Sequence, residues 1–261
     1  MNYYQKNEEL KNIYANWLNE LKQKHPELLG PIYSNPYYMS IPAHWYESKN
    51  RVLIVGEEGH GDWGCGKWGN DEWKFVPEDI EKIQTFNWSY LATNLKSSNN
   101  GIIEKNSLYP DAYSEEFNHS RFWNRARKIA EHEDTICAWT NADKIHRKKS
   151  LFKSCKLSGR ERRNLHSLDN KILRQEIEVL NPSHVFFFGW RQDSFKPELP
   201  DVFEELYRKE NDDWFYNDTF SCFEQNGIHY IFTKHPGARN LPGGYKVYEE
   251  YVQRKFEHYL K

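Results

Sequence analysis

Residues 51–64, RVLIVGEEGHGDWG, run a short apolar stretch into a loop that places Glu57, Glu58, His60 and Asp62 among four glycines, with Trp63 beside them. An ionised carboxylate such as Glu58 or Glu57 can steady a cationic centre or take a proton from water. The same four polar residues could instead bind a divalent cation, a reading that predicts sensitivity to EDTA. Three further polar segments each follow an apolar run: TNADK at 140–144, GWRQD at 189–193 and TKHPGARN at 233–240. Asn141 carries an amide donor and an amide acceptor, enough to read the edge of a polar ring. His235 can donate to an oxygen on which negative charge develops, and Arg239 and Asn240 follow it. Taken singly these are ordinary residues for turns and strand ends, so a functional role for Glu58 and His235 requires that the fold bring them together.

Apolar runs at 52–55, 136–139, 184–188 and 229–233 predict the strands that would do so. Because they are continuously apolar and separated by helical stretches, they read as central strands of a parallel sheet covered on both faces. Leu10, Ile13, Tyr14, Trp17, Leu18 and Leu21 share one helical face and predict a helix over 7–24. Further helices are expected over 77–86, 119–132, 165–180, 200–210 and 245–260. In an open parallel sheet, ligands bind beyond the carboxyl ends of the strands, where the polar segments fall.

Composition narrows the class. The 261 residues are enough for one large α/β domain, and 10 Trp, 17 Tyr and 15 Phe supply a core from fewer, bulkier side chains. A single domain is expected, with residues 1–50 as an N-terminal helix and proline-punctuated connection, 51–240 as the core and 241–261 as a closing helix. No window approaches the roughly 18 apolar residues of a membrane span. The start MNYYQKNEEL lacks the basic-then-apolar order of a signal peptide, so a cytoplasmic protein without a membrane partner is expected. Cys65, Cys137, Cys155 and Cys222 are too dispersed for a site of clustered thiolates. Net charge is −2, yet 144–163 holds nine Lys or Arg against one Glu. That run is a solvated surface loop or a phosphate-tracking face, the latter drawing on Lys144, Arg147, Lys148 and Lys149.

The order of these segments resembles the uracil-DNA glycosylase superfamily. The resemblance rests on the acidic glycine loop Gly56-Glu57-Glu58-Gly59-His60, on Asn141, on residues 181–189 (NPSHVFFFG) and on His235-Pro236-Gly237-Ala238-Arg239-Asn240. It implies a three-layer α/β/α sandwich around a central, mainly parallel four-stranded sheet. It further implies a metal-free, cofactor-free hydrolase that flips a base out of DNA and cleaves its N-glycosidic bond, working as a monomer. Glu58 would stand at the catalytic carboxylate position with Glu57 beside it, His235 would donate to the pyrimidine O2, and Asn141 would bind the base. An aromatic such as Trp63 or Trp68 would close the pocket, while Arg239, Asn240 and the basic run would meet the DNA.

The chain departs from that pattern where uracil-specific members carry a bulky aromatic against C5 of the base. Here stand Gly59-His60-Gly61, with Gly64 and Gly66 beyond. A wider loop leaves room for a 5-substituent, such as the hydroxymethyl or sugar of a modified viral cytosine, with His60 and Asp62 available to bind it. Such an enzyme would serve antiviral defence. Repair of uracil or another deaminated base is the conservative alternative, and a catalytically silent nucleic-acid-binding protein is an alternative of another class.

Overall fold

The structure, a computed structural model, describes residues 3–56, 65–68, 71–74, 76–95, 120–148, 156–189, 220–238, 241 and 243–260. Glu57, Glu58, His60, Asp62, Trp63, Lys149, Arg239, Asn240 and the helix expected over 200–210 lie outside the described residues.

The continuous apolar runs form the centre. β1 (Asn50–Gly56), β4 (Thr135–Asn141), β5 (His184–Phe188) and β7 (Ile228–Thr233) are parallel, and β6 (Phe220–Gln225) pairs antiparallel with β7 at the edge, giving the order β4-β1-β5-β7-β6. All seven residues of β4 and all five of β5 are buried, as a sheet covered on both faces demands. The sequence expectation of four strands is therefore corrected to five. The added strand is joined to β7 through Asn226 (φ 54°) and Gly227 (φ 75°), two left-handed residues in the pattern of a tight hairpin whose twist matches the sheet. A separate pair, β2 (Cys65–Trp68) and β3 (Asp71–Lys74), places Trp68 opposite Asp71.

Helices cover both faces. On one, α1 (Tyr3–Lys24) packs against α4 (Gly159–Leu180), with Leu10, Tyr14, Trp17, Leu18 and Leu21 as the buried stripe of α1. α4 begins six residues before the expected start because Ser158 and Glu161 form a reciprocal capping box. It ends at Asn181, in the left-handed conformation just before Pro182. On the other face lie α3 (Arg121–Ala130) and the last helix, α5 (Gly244–Tyr259), Phe256 of which meets Phe186 with ring centroids 4.6 Å apart. α2 (Ile80–Leu95) packs on α3, and its Tyr90 touches both Trp123 and Trp139. Among the described residues no helix is long and apolar enough to cross a membrane.

The strand order contains a reversal of direction. From β1 the chain moves to β4 on one side and then returns across β1 to β5 on the other, so the direction reverses between β1 and β5. In open α/β sheets such a switch point, beyond the carboxyl ends of the strands, is where ligands bind.

Candidate functional site

One row of the sheet carries candidate residues. Asn141, Gly56, Phe188 and Thr233 are register partners across β4, β1, β5 and β7, so these positions face the same side, toward α3. Asn141 is buried, and its amide occupies the space a side chain at Gly56 would need: a Cβ there would overlap Asn141 Oδ1 and lie 3.4 Å from Trp139 Nε1 and 3.5 Å from Phe122 Cε2. Only glycine lets β1 end beside that amide.

His235 follows β7 by two residues. The chain turns over Pro236-Gly237, with Ala238 N–H donating to the His235 carbonyl at 2.8 Å. The Gly237 N–H donates to His235 Nδ1 at 3.0 Å. An Nδ1 that accepts carries no proton, so the neutral ring bears its hydrogen on Nε2 and presents a donor there. Gly237 is close enough that a Cβ would lie 3.1 Å from Nδ1 and 3.2 Å from Cε1.

Phe122 joins these parts. From the first turn of α3, capped by Ser120, its partly buried ring lies 6.4 Å from the His235 ring at a 31° tilt, 5.2 Å from Phe188 and 6.1 Å from Trp139. Phe122 thus lies between the buried Asn141 amide at the end of β1 and the His235 imidazole beyond β7. Together they can read the edge and the face of a planar polar ring.

Two buried ion pairs brace this end of the sheet from opposite faces. Behind β7, Arg125 is fully buried, and its Nε donates to Glu249 Oε2 at 3.1 Å while Nη2 donates to Glu249 Oε1. Its Nη1 donates to Thr233 Oγ1 at 2.9 Å and to the Lys234 carbonyl at 2.8 Å. Tyr248, whose phenol burial pushes up to about 12, accepts from Lys234 N–H at 2.9 Å. Behind β4, Lys144 Nζ donates to Glu176 at 2.7 and 2.8 Å and to Thr140 Oγ1 at 2.5 Å. Tyr14 and Thr140 donate to the same carboxylate at 2.7 and 3.1 Å. Burial, then the charge of Glu176, holds the Tyr14 phenol well above its ordinary range, so it remains a donor. Asp169, accepting from Lys144 N–H at 3.3 Å, is pushed up to about 7 by burial.

Lys144 is therefore a correction. The sequence reading placed it among phosphate-contacting residues, but its side chain has no exposure and is committed to a carboxylate that is equally buried. A lone buried ammonium is costly, so the pairing is what permits the burial. Arg147 is also engaged internally, through an ion pair of 2.8 Å with Glu161. Burial would raise that carboxyl, yet hydrogen bonds from Ser158, Tyr33 and Arg147 outweigh it and hold Glu161 at about 2. The Lys148 N–H pairs with the Ile32 carbonyl at 3.0 Å. Arg162, later in the run, pairs with Asp143 at 3.5 Å.

Among the described residues no group of three or more His, Cys, Asp or Glu side chains is arranged to hold a metal. Cys137 is buried, and burial pushes its thiol well up, away from reactive thiolate. Sequence reasoning missed Phe122 and Arg125. The signal for Arg125 was present: Phe122, Arg125, Ala126 and Ile129 share one face of α3, and a charge on an apolar stripe demands a partner. The chain matches no family model, no curated protein and no solved structure.

Proposed function

We propose that this chain is a DNA glycosylase that hydrolyses the N-glycosidic bond of an extruded pyrimidine, its substrate class being cytosines with a substituent at C5. The observation that carries this reading is the His235 imidazole. Its Nδ1 accepts from Gly237 N–H, which leaves Nε2–H as the donor, beside Phe122 and at the same sheet end as Asn141. A neutral donor suits a departing base that gathers negative charge on an oxygen.

In this reading Asn141 addresses the edge of the base and Phe122 its face. Glu58, two residues beyond Gly56 in sequence, takes a proton from water as the new C1′–O bond forms. The C1′–N bond breaks, and its electron pair leaves with the base, where the hydrogen bond from His235 Nε2–H stabilises it. The choice of base follows from sequence: the first loop carries glycine and histidine in place of the tyrosine that would crowd C5. DNA contacts fall to Lys148, Lys149, Arg239 and Asn240, since Lys144 is spent on Glu176.

The test is alkaline strand cleavage of DNAs containing uracil, 5-hydroxymethylcytosine or glucosylated 5-hydroxymethylcytosine. Wild-type protein should cut one modified DNA in the presence of EDTA, with His235→Ala and Glu58→Ala each inactive. Cleavage abolished by EDTA would establish a metal-dependent reaction instead. Salt-sensitive DNA binding without cleavage of any substrate would make the chain a silent nucleic-acid-binding protein.

A further inference from the structure

The geometry points to Arg125, together with Glu249, as a positioning residue for His235. Only its effect on rate rests on the glycosylase reading; the structural part stands without it. The guanidinium is planar and presents its donors in a fixed fork. Two of its nitrogens are taken by Glu249 of α5, which sets the plane, and the third, Nη1, is thereby aimed at the end of β7, where it meets Thr233 Oγ1 and the Lys234 carbonyl. The plane is held further by Phe188 and Tyr248, whose ring centroids lie 5.1 and 5.6 Å from the guanidinium carbon. Both backbone groups of Lys234 are thus bound, its carbonyl by Arg125 and its N–H by the Tyr248 hydroxyl. Thr233 continues the tether, donating to the Phe187 carbonyl at 3.2 Å. The residue after the doubly held Lys234 is His235.

Stability alone is a poor reason for such a pair, since burying two charges roughly cancels their attraction and an apolar pair of similar volume commonly does as well. An apolar pair cannot supply a directed donor to Lys234. Among the described residues the Pro236-Gly237 turn is closed by the Gly237 N–H to Nδ1 bond and the Ala238 N–H to carbonyl bond, and it begins where β7 releases the chain, directly after Lys234. Loosening the Lys234 peptide frees the turn, breaks the Gly237 contact and lets the imidazole sample both tautomers.

The experiment compares wild type with Arg125→Met/Glu249→Leu, which removes both charges and the tether at once. It also uses Tyr248→Phe, which removes the acceptor of Lys234 N–H while keeping the ring, and Ile172→Ala, a destabilised core control in α4 on the opposite face. Three readouts are taken: amide exchange at Gly237 and Ala238, the His235 tautomer from its ring nitrogen shifts, and excision kinetics on the DNA panel. In the double variant, exchange at Gly237 should rise about tenfold, the Nε2–H tautomer should lose its dominance, and kcat should fall roughly tenfold or more with KM little changed. Tyr248→Phe should move the same readouts in the same direction by less, and Ile172→Ala none of them. Wild-type exchange and tautomer in both Arg125→Met/Glu249→Leu and Tyr248→Phe overturn the assignment even if excision is robust. If the double variant does not fold, Tyr248→Phe decides alone. Should wild type excise nothing while exchange and tautomer shift as stated, the glycosylase reading falls and the positioning role stands.

Discussion

Replacing Lys144 by Met removes one half of an ion pair whose two side chains have no exposure. The Glu176 carboxylate is left in the core with, among the described residues, the Tyr14 and Thr140 hydroxyls as its donors. Breaking a buried pair in this way costs about 3–5 kcal/mol, and the two surviving donors place this case near 3. Domains have about 5–15 kcal/mol in total, so the variant should fold at reduced stability. With a urea slope of about 3 kcal/mol per molar, the unfolding midpoint should drop by about 1 M at constant slope. Lys144→Met/Glu176→Gln removes both charges while keeping an acceptor for Tyr14, and it should regain about 2 kcal/mol of the loss. The assay is urea unfolding followed by tryptophan fluorescence at pH 7, with DNA affinity measured against salt in parallel. An unchanged midpoint for Lys144→Met, with weaker DNA binding and a salt slope reduced by about one, would refute the buried-pair reasoning and restore a phosphate contact. A double variant no better than the single one would refute charge compensation as the cause.

Gly56→Ala should displace the Asn141 amide that its Cβ would overlap, costing about 1–3 kcal/mol and abolishing base excision, as read by thermal unfolding and the cleavage assay. Gly237→Ala, whose Cβ would lie 3.1 Å from Nδ1 of the His235 side chain, should cost less than 1 kcal/mol of stability yet lower excision by roughly tenfold or more. Burial holds His184 at about 4, below its ordinary 6.5, so the unfolded chain binds its proton first on acidification. Its contribution should therefore be lost as pH falls from 6.5 toward 4, with a slope of up to about 1.4 kcal/mol per pH unit that His184→Asn removes. Asp169 acts in the opposite direction: with its carboxyl raised to about 7, the folded chain holds the extra proton, and stability should decline as pH rises from about 4 to 7. Asp169→Asn should flatten that decline in midpoint-against-pH profiles.

Much of the scaffold was legible in the chain because its signals are local. Unbroken apolar runs such as LIV at 53–55 and VFFF at 185–188 declared strands buried on both faces, and the stripe from Leu10 to Leu21 declared an amphipathic helix. The Asn226-Gly227 dipeptide was a local signal as well, and reading it as a hairpin would have recovered β6. Asn141 and His235 could be singled out because each stands two residues past an apolar run, where a parallel sheet presents ligand-binding residues. What only the tertiary structure decided is the partner of each charge and ring. Periodicity assigns a residue to a face but cannot say what lies across it. Lys144 therefore read as part of a basic surface run, although Glu176, 32 residues on, holds it in the core. Arg125 read as one helical residue among many until Glu249, 124 residues away, and the end of β7 closed around it. Phe122 gained its place beside His235 in the same way, because the register of four strands, rather than any neighbour in sequence, brings their ends into one row.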